Sequence, residues 1–229
     1  VPAQDLFFDL LKERAETGRI YIMNLDHCNS HSSFKDKVSM SNLCQEITLP
    51  TTPIQDIHDE QGEIALCILS AVNVGGLNDL NELENICDLS VRALEQIIDY
   101  QDYPVKAAEV STKKRRSLGI GYIGLAHYLA KNGVKYSDPK AWELVDRLSE
   151  AFQYNLLRAS CNIAMEKGKC EGFERTKYAD GLLPIDHYKK EIDEIVPHKQ
   201  RMAWESLRKD IAKYGLRHST LSAQMPSES

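Results

Sequence analysis

The sequence predicts an α/β fold in which helices cover buried strands. The apolar run at residues 63–74, EIALCILSAVNV, is short and is followed by two glycines, as is typical of a strand covered on both faces. Residues 79–100 instead place apolar side chains at helical spacing along one face. Strand-like and helical segments alternate along the whole chain, which favours the α/β class.

The N-terminal region predicts one helix, one short strand and one long loop. Apolar residues recur at helical spacing over residues 6–15, and Gly18 stops the pattern. Ile20–Met23 has the composition of a short strand. Residues 24–42 are polar and have no period, so they predict a long loop, and loops of this length are usually functional or disordered.

The C-terminal region predicts two more helices and a last strand. A long helix is predicted within residues 137–168, with Pro139 near its first turn and Gly168 after its last. A further helix lies around residues 204–214, and residues 217–225 predict a strand that leads into the start of a helix. Three strands cannot close a barrel by themselves, and the chain begins at Val1 rather than Met. We therefore expect a fragment of a larger domain.

Composition limits the classes of partner. The 229 residues carry 34 acidic and 28 basic side chains, a net charge of −6, which argues against nucleic-acid binding. The chain contains no membrane-length apolar run and does not start with a secretion signal, so we expect a soluble cytoplasmic protein without a membrane partner. The six cysteines show no CxxC spacing and predict neither a disulfide framework nor a zinc ribbon: Cys28, Cys44, Cys67, Cys87, Cys161 and Cys170.

Two further motifs have simpler interpretations than the functional ones. GIGYIG, residues 119–124, matches the dinucleotide fingerprint but lacks the preceding strand, so close helix packing is the better interpretation. The basic run at residues 113–116 predicts a solvated charged face. His27, Cys28 and His31 could bind a metal together with Cys44, but their spacing matches no strong zinc pattern.

The stretch SNLCQE, residues 41–46, places an amide, a thiol and a carboxyl at alternate positions. In an extended chain Asn42, Cys44 and Glu46 would point to the same side, because side chains alternate along extended backbone. Chance polar neighbours of a loop cysteine remain an equal alternative at this level. Cys67 lies within an apolar run, which favours a thiol packed in the core.

The terminal MPSES offers backbone N–H groups and hydroxyls at the start of a helix, which favours a phosphate, although simple helix capping competes with this interpretation. Its members are Met225, Pro226, Ser227, Glu228 and Ser229.

Taken together, SNLCQEITLPT, GEIALCILSAVN, DYQDYPV, RRSLGIGYIGLAHYLAK, LLPIDHYKK and LRHSTLSAQMPSES resemble the large, catalytic subunit of class I ribonucleotide reductase. The resemblance covers essentially the whole chain. It implies part of a ten-stranded α/β barrel with helical insertions: a finger loop at about residues 26–52 and the start of the second barrel half at about residues 63–229.

The resemblance also implies roles for individual residues. Cys44 corresponds to the thiyl radical that abstracts the 3′ hydrogen of the substrate ribose, Glu46 to the carboxylate that takes the 3′-hydroxyl proton, and Asn42 to the amide that holds the sugar hydroxyls. Cys67 corresponds to one of two cysteines that reduce the 2′ position. Substrate binding falls to Ser41 and, through the diphosphate, to the five residues of MPSES.

The implied partners are the remaining segments of the large subunit, a radical-generating small subunit with a metal–radical cofactor, thioredoxin or glutaredoxin, and a ribonucleoside diphosphate. ATP and deoxynucleoside triphosphates would act as effectors on the full assembly, and no cofactor is expected within this segment. The alternatives are an anaerobic glycyl-radical reductase with the same barrel, and a non-catalytic metal-binding or scaffold module. The isolated segment is expected to be inactive.

Overall fold

A computed structural model describes residues 1–66, 68–195 and 199–225. It contains seven α-helices and two strands within these residues, with short 3-10 turns between them. The helices are α1 (Ala3–Thr17), α2 (Leu25–His31), α3 (Glu82–Tyr100), α4 (Lys106–Arg115), α5 (Leu125–Lys131), α6 (Pro139–Lys167) and α7 (Trp204–Tyr214), and the strands are β1 (Leu69–Asn73) and β2 (Gly119–Ile123).

The main core forms where α3 and α7 pack against the long helix α6. The helices predicted at residues 79–100, 137–168 and around 204–214 are confirmed within a few residues. Pro139 occupies the first turn of α6 and Gly168 follows its last residue, because proline fits the start of a helix and glycine its end. These three helices supply most of the fully buried apolar side chains, among them Leu83, Ile98, Leu148, Leu156, Leu157, Ile163, Trp204, Leu207 and Ile211.

The sheet is parallel, and β2 is its central element. β1 pairs with β2 in a register that runs from Leu69 opposite Gly119 to Asn73 opposite Ile123. On the other side of β2, Ser222 forms a parallel bridge with Ile120. Backbone bonds from Leu118 N to Thr220 O (3.0 Å) and from Ile120 N to Leu221 O (2.8 Å) extend this pairing. The strand predicted at residues 217–225 is therefore present only as a short edge.

GIGYIG proves to be a strand, so the predicted helix packing is wrong, although its glycines do permit close approach. A side chain at Gly121 would lie 2.5 Å from the carbonyl oxygen of Ala223 and 2.8 Å from the sulfur of Met225. A side chain at Gly119 would lie 2.5 Å from Leu69 and 3.1 Å from Ile47. Gly121 therefore leaves room for the C-terminal segment, and Gly119 leaves room for both β1 and the loop that carries Cys44.

Three other expectations are corrected. The strand predicted at Ile20–Met23 is wrong, because these residues are largely exposed and pair with no strand in the described ranges. The strand predicted at residues 63–74 shrinks to β1, and residues 64–66 and 68 form no regular element. The long loop predicted at residues 24–42 begins with α2, which local side-chain bonds such as Asn29 Nδ2 to Leu25 O (2.8 Å) support.

The basic run at residues 113–116 is a solvated face only in part, because Lys113 is exposed but the two arginines are buried. Arg115 and Arg116 are each 4% exposed. Their guanidinium groups meet the buried carboxylates of Glu63 and Glu95. The expectation is wrong for Arg115 and Arg116 because it did not consider that buried carboxylates could pair with them.

Helix α1 confirms the predicted N-terminal helix and ends at Gly18, whose φ is 66°. It has no buried residue, and Leu6, Phe7 and Phe8 are each more than half exposed. Across the residues the structure describes, no helix combines the length and apolarity that a membrane span requires.

Candidate functional site

The stretch SNLCQE forms a tight turn. Asn42 N donates to Ile47 O (3.3 Å), and Gln45 N donates to Asn42 O (3.2 Å). The side chain of Asn42 completes the closure, because its Oδ1 accepts from Ile47 N at 3.0 Å. Gln45 has a φ of 63°, a left-handed conformation that folds the chain back after Cys44. Asn42 therefore closes the turn from both its backbone and its side chain.

This turn corrects the expected extended geometry. Extended backbone would have placed the three side chains on one side, but the left-handed residue at Gln45 breaks the alternation between Cys44 and Glu46. Cys44 is exposed at the tip, beside Leu43, which is 75% exposed. The sequence pattern indicated that Asn42, Cys44 and Glu46 lie close together, but it did not indicate the directions in which their side chains point.

Glu46 points away from the tip into the body of the protein. It lines a small cavity of about 50 Å³ between the turn and the sheet, together with Ser117, Thr220 and Ser222. Its Oε2 is buried and has no hydrogen-bond partner among the residues described. Buried polar atoms normally have partners, so this oxygen is available to a ligand that enters the cavity.

Ser41 and Asn42 line a second, larger cavity of about 510 Å³ on the other side of the turn. Ser41 Oγ donates to the Asn42 carbonyl at 3.0 Å. Ile47 and Leu49 border both cavities. The turn thus separates two spaces, with the amide facing one and the carboxylate facing the other.

The predicted phosphate segment is described only at its first residue. Met225 is half-buried, and its sulfur lies over Gly121 of β2. Pro226, Ser227, Glu228 and Ser229 lie outside the described residues, as does Cys67. The edge pairing of residues 220–223 with β2 brings Met225 to the sheet that also borders the Glu46 cavity.

The other described cysteines differ from Cys44 in their surroundings. Cys87, Cys161 and Cys170 are buried. Burial raises the pKa of Cys87 to about 12 and the pKa values of Cys161 and Cys170 to about 11. These three thiols stay protonated at neutral pH and pack as small apolar side chains.

The metal-binding alternative gains no support from the geometry. His27, Cys28 and His31 all lie on α2, and His31 Nδ1 contacts the carbonyl of His187. Over the described ranges, no three histidine, cysteine or acidic side chains come together in a way that would hold a metal ion. Cys44 lies at the exposed tip of its own turn.

Sequence analysis missed a buried ionic cluster centred on Glu95 of α3. Its carboxylate accepts from Arg116 Nε (2.8 Å), Arg217 Nε (2.8 Å) and His218 Nε2 (3.0 Å). Ser160 Oγ lies 2.9 Å from His218 Nδ1, so a neutral imidazole with its proton on Nε2 satisfies both neighbours. The cluster ties α3 to the start of β2 and to the C-terminal segment.

The pKa values of Glu95 and His218 in this cluster are both lowered, for different reasons. Burial alone would raise the pKa of Glu95, but hydrogen bonds from His218, Arg116 and Arg217 outweigh it and lower the pKa to about 2. Burial lowers the pKa of His218 despite the nearby carboxylate. Glu95 is therefore ionised and His218 neutral at pH 7. A glutamate in an otherwise apolar helix face was the available sequence signal.

Fold and site together define a mixed α/β protein in which a cysteine-bearing turn lies against a parallel sheet, with Glu46 of the turn lining the cavity between them. The profile of one family, described as "Ribonucleotide reductase, barrel domain", matches residues 1–229. The chain belongs to this family.

Similar proteins carry consistent names. The chain is 58% identical to a protein of Haemophilus influenzae and 57% identical to one of Buchnera aphidicola subsp. Baizongia pistaciae, both named ribonucleoside-diphosphate reductase subunit alpha. It is 53% identical to the ribonucleoside-diphosphate reductase 1 subunit alpha of Escherichia coli K12. Each match covers 100% of this chain but only 30% or 31% of the relative. The chain thus spans about a third of the length of these relatives.

Proposed function

We propose that the chain is the part of a ribonucleoside-diphosphate reductase large subunit that carries the radical cysteine, and that it acts after the remaining segments complete a ten-stranded barrel. The names of the relatives, which specify the diphosphate substrate and an alpha subunit, support this proposal. They favour it over the anaerobic glycyl-radical alternative and over a metal-binding scaffold.

The observation that carries the proposal is the unpartnered carboxylate oxygen of Glu46 two residues from an exposed thiol. A general base must have a free oxygen within reach of the proton that it accepts. The cavity beside Glu46 is also lined by Thr220 and Ser222, so the C-terminal segment contributes polar residues next to this carboxylate.

In the proposed reaction the Cys44 sulfur radical takes the 3′ hydrogen atom, so an S–H bond forms while the C3′–H bond breaks. The unpaired electron moves to C3′. Glu46 accepts the 3′-hydroxyl proton and later returns it to the 3′ oxygen, while one of two reducing thiols gives its proton to the leaving 2′ hydroxyl, which departs as water. Exclusion of bulk water by the barrel would protect the carbon radical from side reactions.

Over the whole reaction these two thiols supply two electrons and two hydrogens, one hydrogen to the departing water and one to C2′, and they end as a disulfide. Cys67 is one of them, and its partner comes from a segment outside this chain. Cys44 finally returns a hydrogen atom to C3′ and regains its radical. Ser41 and Asn42 would hold the sugar, and the diphosphate would bind at residues 225–229.

Partners complete this scheme. The small subunit supplies, through its metal site and radical, the oxidising equivalent that starts the reaction, and thioredoxin or glutaredoxin reduces the product disulfide. The exposed apolar face of α1 supports burial against other segments of the subunit, because unpartnered apolar patches of this kind mark interfaces. The chain alone would therefore be inactive.

The test is reduction of cytidine diphosphate by the complete large subunit with its small subunit. Cys44→Ser should abolish turnover, because an alkoxyl radical cannot be formed from serine by the same route. Cys28→Ser is the matched control, since Cys28 is half-buried outside the proposed machinery and should leave turnover unchanged. Turnover that persists in Cys44→Ser refutes the radical role.

A further inference from the structure

The loop that carries Cys44 is here called the cysteine loop (residues 33–52). Two arginines bind its outgoing limb, the residues before Cys44. Asp36 accepts from the exposed Arg175, with Nε at 2.9 and 2.8 Å from its two oxygens. From the interior, Arg115 Nη1 lies 2.9 Å from Asp36 Oδ2 in an ion pair without hydrogen-bond alignment. The side chain of Arg115 is only 5% exposed, whereas that of Arg175 is 58% exposed.

Through Glu63, the same Arg115 is also linked to the returning limb of the loop, the residues after Cys44. Its Nε donates to Glu63 Oε2 at 2.6 Å. The backbone of Glu63 in turn pairs with Thr52, through Thr52 N to Glu63 O (3.1 Å) and Glu63 N to Thr52 O (3.0 Å). One guanidinium therefore links the start of the cysteine loop to its end through the chain Asp36, Arg115, Glu63.

Apolar packing provides little alternative attachment. The buried apolar side chains of the cysteine loop, Phe34, Val38 and Leu49, form a small cluster separate from the main core. Arg115 also lies over the ring of Phe34, with its Cζ 5.9 Å from the ring centroid. Because the two clusters are separate, directional polar contacts set the position of the loop on the body.

Charge supports the stability of this link. Arg175 and Arg115 together lower the pKa of Asp36 against the opposing effect of burial. Burial would raise the pKa of Glu63, but Arg115 and Lys114 outweigh it and lower it. Both carboxylates are ionised at neutral pH, so the Arg115 bridge is intact under working conditions.

We propose that Arg115 is a positioning residue that holds Cys44 and Glu46 in register with the sheet. Arg115 ends α4, and Ser117, two residues further on, borders the cavity that Glu46 lines. Residues 115–117 therefore both bind the cysteine loop, through Arg115, and line the Glu46 cavity, through Ser117. A small displacement of reacting groups can lower a rate about a hundredfold. This inference rests on the proposed function.

The experiment uses the complete large subunit with its small subunit and cytidine diphosphate deuterated at the 3′ position. Arg115→Lys keeps the buried positive charge, but a single ammonium cannot reproduce the planar fork that meets two carboxylates. We expect kcat to fall at least about tenfold, with KM for the substrate changed less than about twofold. The 3′-deuterium isotope effect on turnover should rise, because hydrogen abstraction becomes slower relative to the other steps.

Asp36→Asn is a second variant, which preserves shape and releases only the outgoing limb. It decides the question if Arg115→Lys does not fold. Its kcat should fall less and its isotope effect should rise in the same direction. Arg92→Lys is the matched control, because Arg92 pairs with Asp88 and Glu166 on the helical body and makes no ion pair with the cysteine loop, and its kcat should stay within about twofold of the unmodified protein.

The outcomes separate this inference from the proposed function. If Cys44→Ser retains turnover, the proposed function itself is wrong. If Cys44→Ser is inactive while Arg115→Lys and Asp36→Asn keep the original kcat, only the positioning role is wrong. A lower kcat with an unchanged isotope effect also overturns it, because loss of folded protein reduces the rate without changing which step limits turnover.

Discussion

The helical body and the cysteine loop are held by different kinds of interaction. In the body, α3, α6 and α7 bury a continuous apolar cluster whose side chains are mostly inaccessible to solvent. In the loop, Phe34, Val38 and Leu49 form a small apolar cluster, and ion pairs and side-chain-to-backbone bonds supply further contacts. Apolar packing is tolerant of direction, whereas hydrogen bonds fix it.

The difference indicates how such a site combines stability with accuracy. The body provides the free energy of folding, and the loop is held in one register by contacts that each depend on geometry. Regions with few buried apolar contacts open more easily than the core. We therefore expect mutations in the body to change global unfolding, and mutations in the loop to change local opening.

The largest effect should follow Glu95→Gln, which leaves two arginines without their buried carboxylate. Breaking a buried ionic cluster by removing one charge costs about 3 to 5 kcal/mol. Denaturant unfolding at pH 7 measures this loss. The comparison variant is Arg92→Ala, which removes a largely exposed ion pair to Glu166 and should cost about 0 to 1 kcal/mol.

The stability lost in Glu95→Gln should also depend on pH, because it comes from the ionised form of Glu95. Because the pKa of Glu95 is lowered from 4.5 to about 2, its ionisation contributes stability that is full above pH 4.5 and is lost as pH falls toward 2. The stability difference between the unmodified chain and Glu95→Gln should therefore shrink over this window. A difference that stays constant from pH 5 to pH 2.5 would contradict the assignment.

A smaller effect, and the most direct test of the comparison, is a matched pair of leucine truncations. Leu156 is 0% exposed in the body and Leu49 is 8% exposed in the loop cluster. Leu156→Ala should lower the free energy of unfolding by about 2 to 5 kcal/mol. Leu49→Ala should change global unfolding much less and should instead accelerate amide exchange within residues 33–52. Equal losses in global stability would show that both regions unfold as one unit.

The smallest effect is expected for Asn29→Ala. The Asn29 amide imitates a backbone partner, because its Oδ1 accepts from Val38 N (2.8 Å) and its Nδ2 donates to Val38 O (2.8 Å). Loss of both bonds leaves the backbone of a buried residue unpaired, at a local cost of about 1 to 3 kcal/mol. Hydrogen exchange of the Val38 amide should accelerate. Asn29→Asp keeps the acceptor and should preserve more of the protection.

The helices could be predicted from the sequence because their information is local. The apolar spacing of α3, the proline at the start of α6 and the glycine after its end all lie within the helices themselves. Strands depend on distant partners, so Ile20–Met23 had suitable composition but pairs with no strand in the described residues. Residues 119–123 form a strand despite their glycines, because two neighbours approach closely on both sides.

The candidate site was predictable in composition but not in geometry. The alternation of Asn42, Cys44 and Glu46 was visible in the sequence, but the left-handed conformation of Gln45 was not, since glutamine rarely adopts it. The buried pairs of Arg115 and Arg116 were also invisible, because each joins residues far apart in the chain. Their carboxylate partners are known only once the chain is folded.

The parallel pairing of β2 also sets the order in which the polypeptide can acquire its structure. β2 joins β1 only after a long crossover, and its other neighbour is residue 222, so both pairings close large loops. Such non-local contacts form slowly compared with helices. During synthesis helix α3 can form early, while the sheet edge is completed only after residue 223 has left the ribosome. Until then the cavity that Glu46 lines lacks the wall that Thr220 and Ser222 provide.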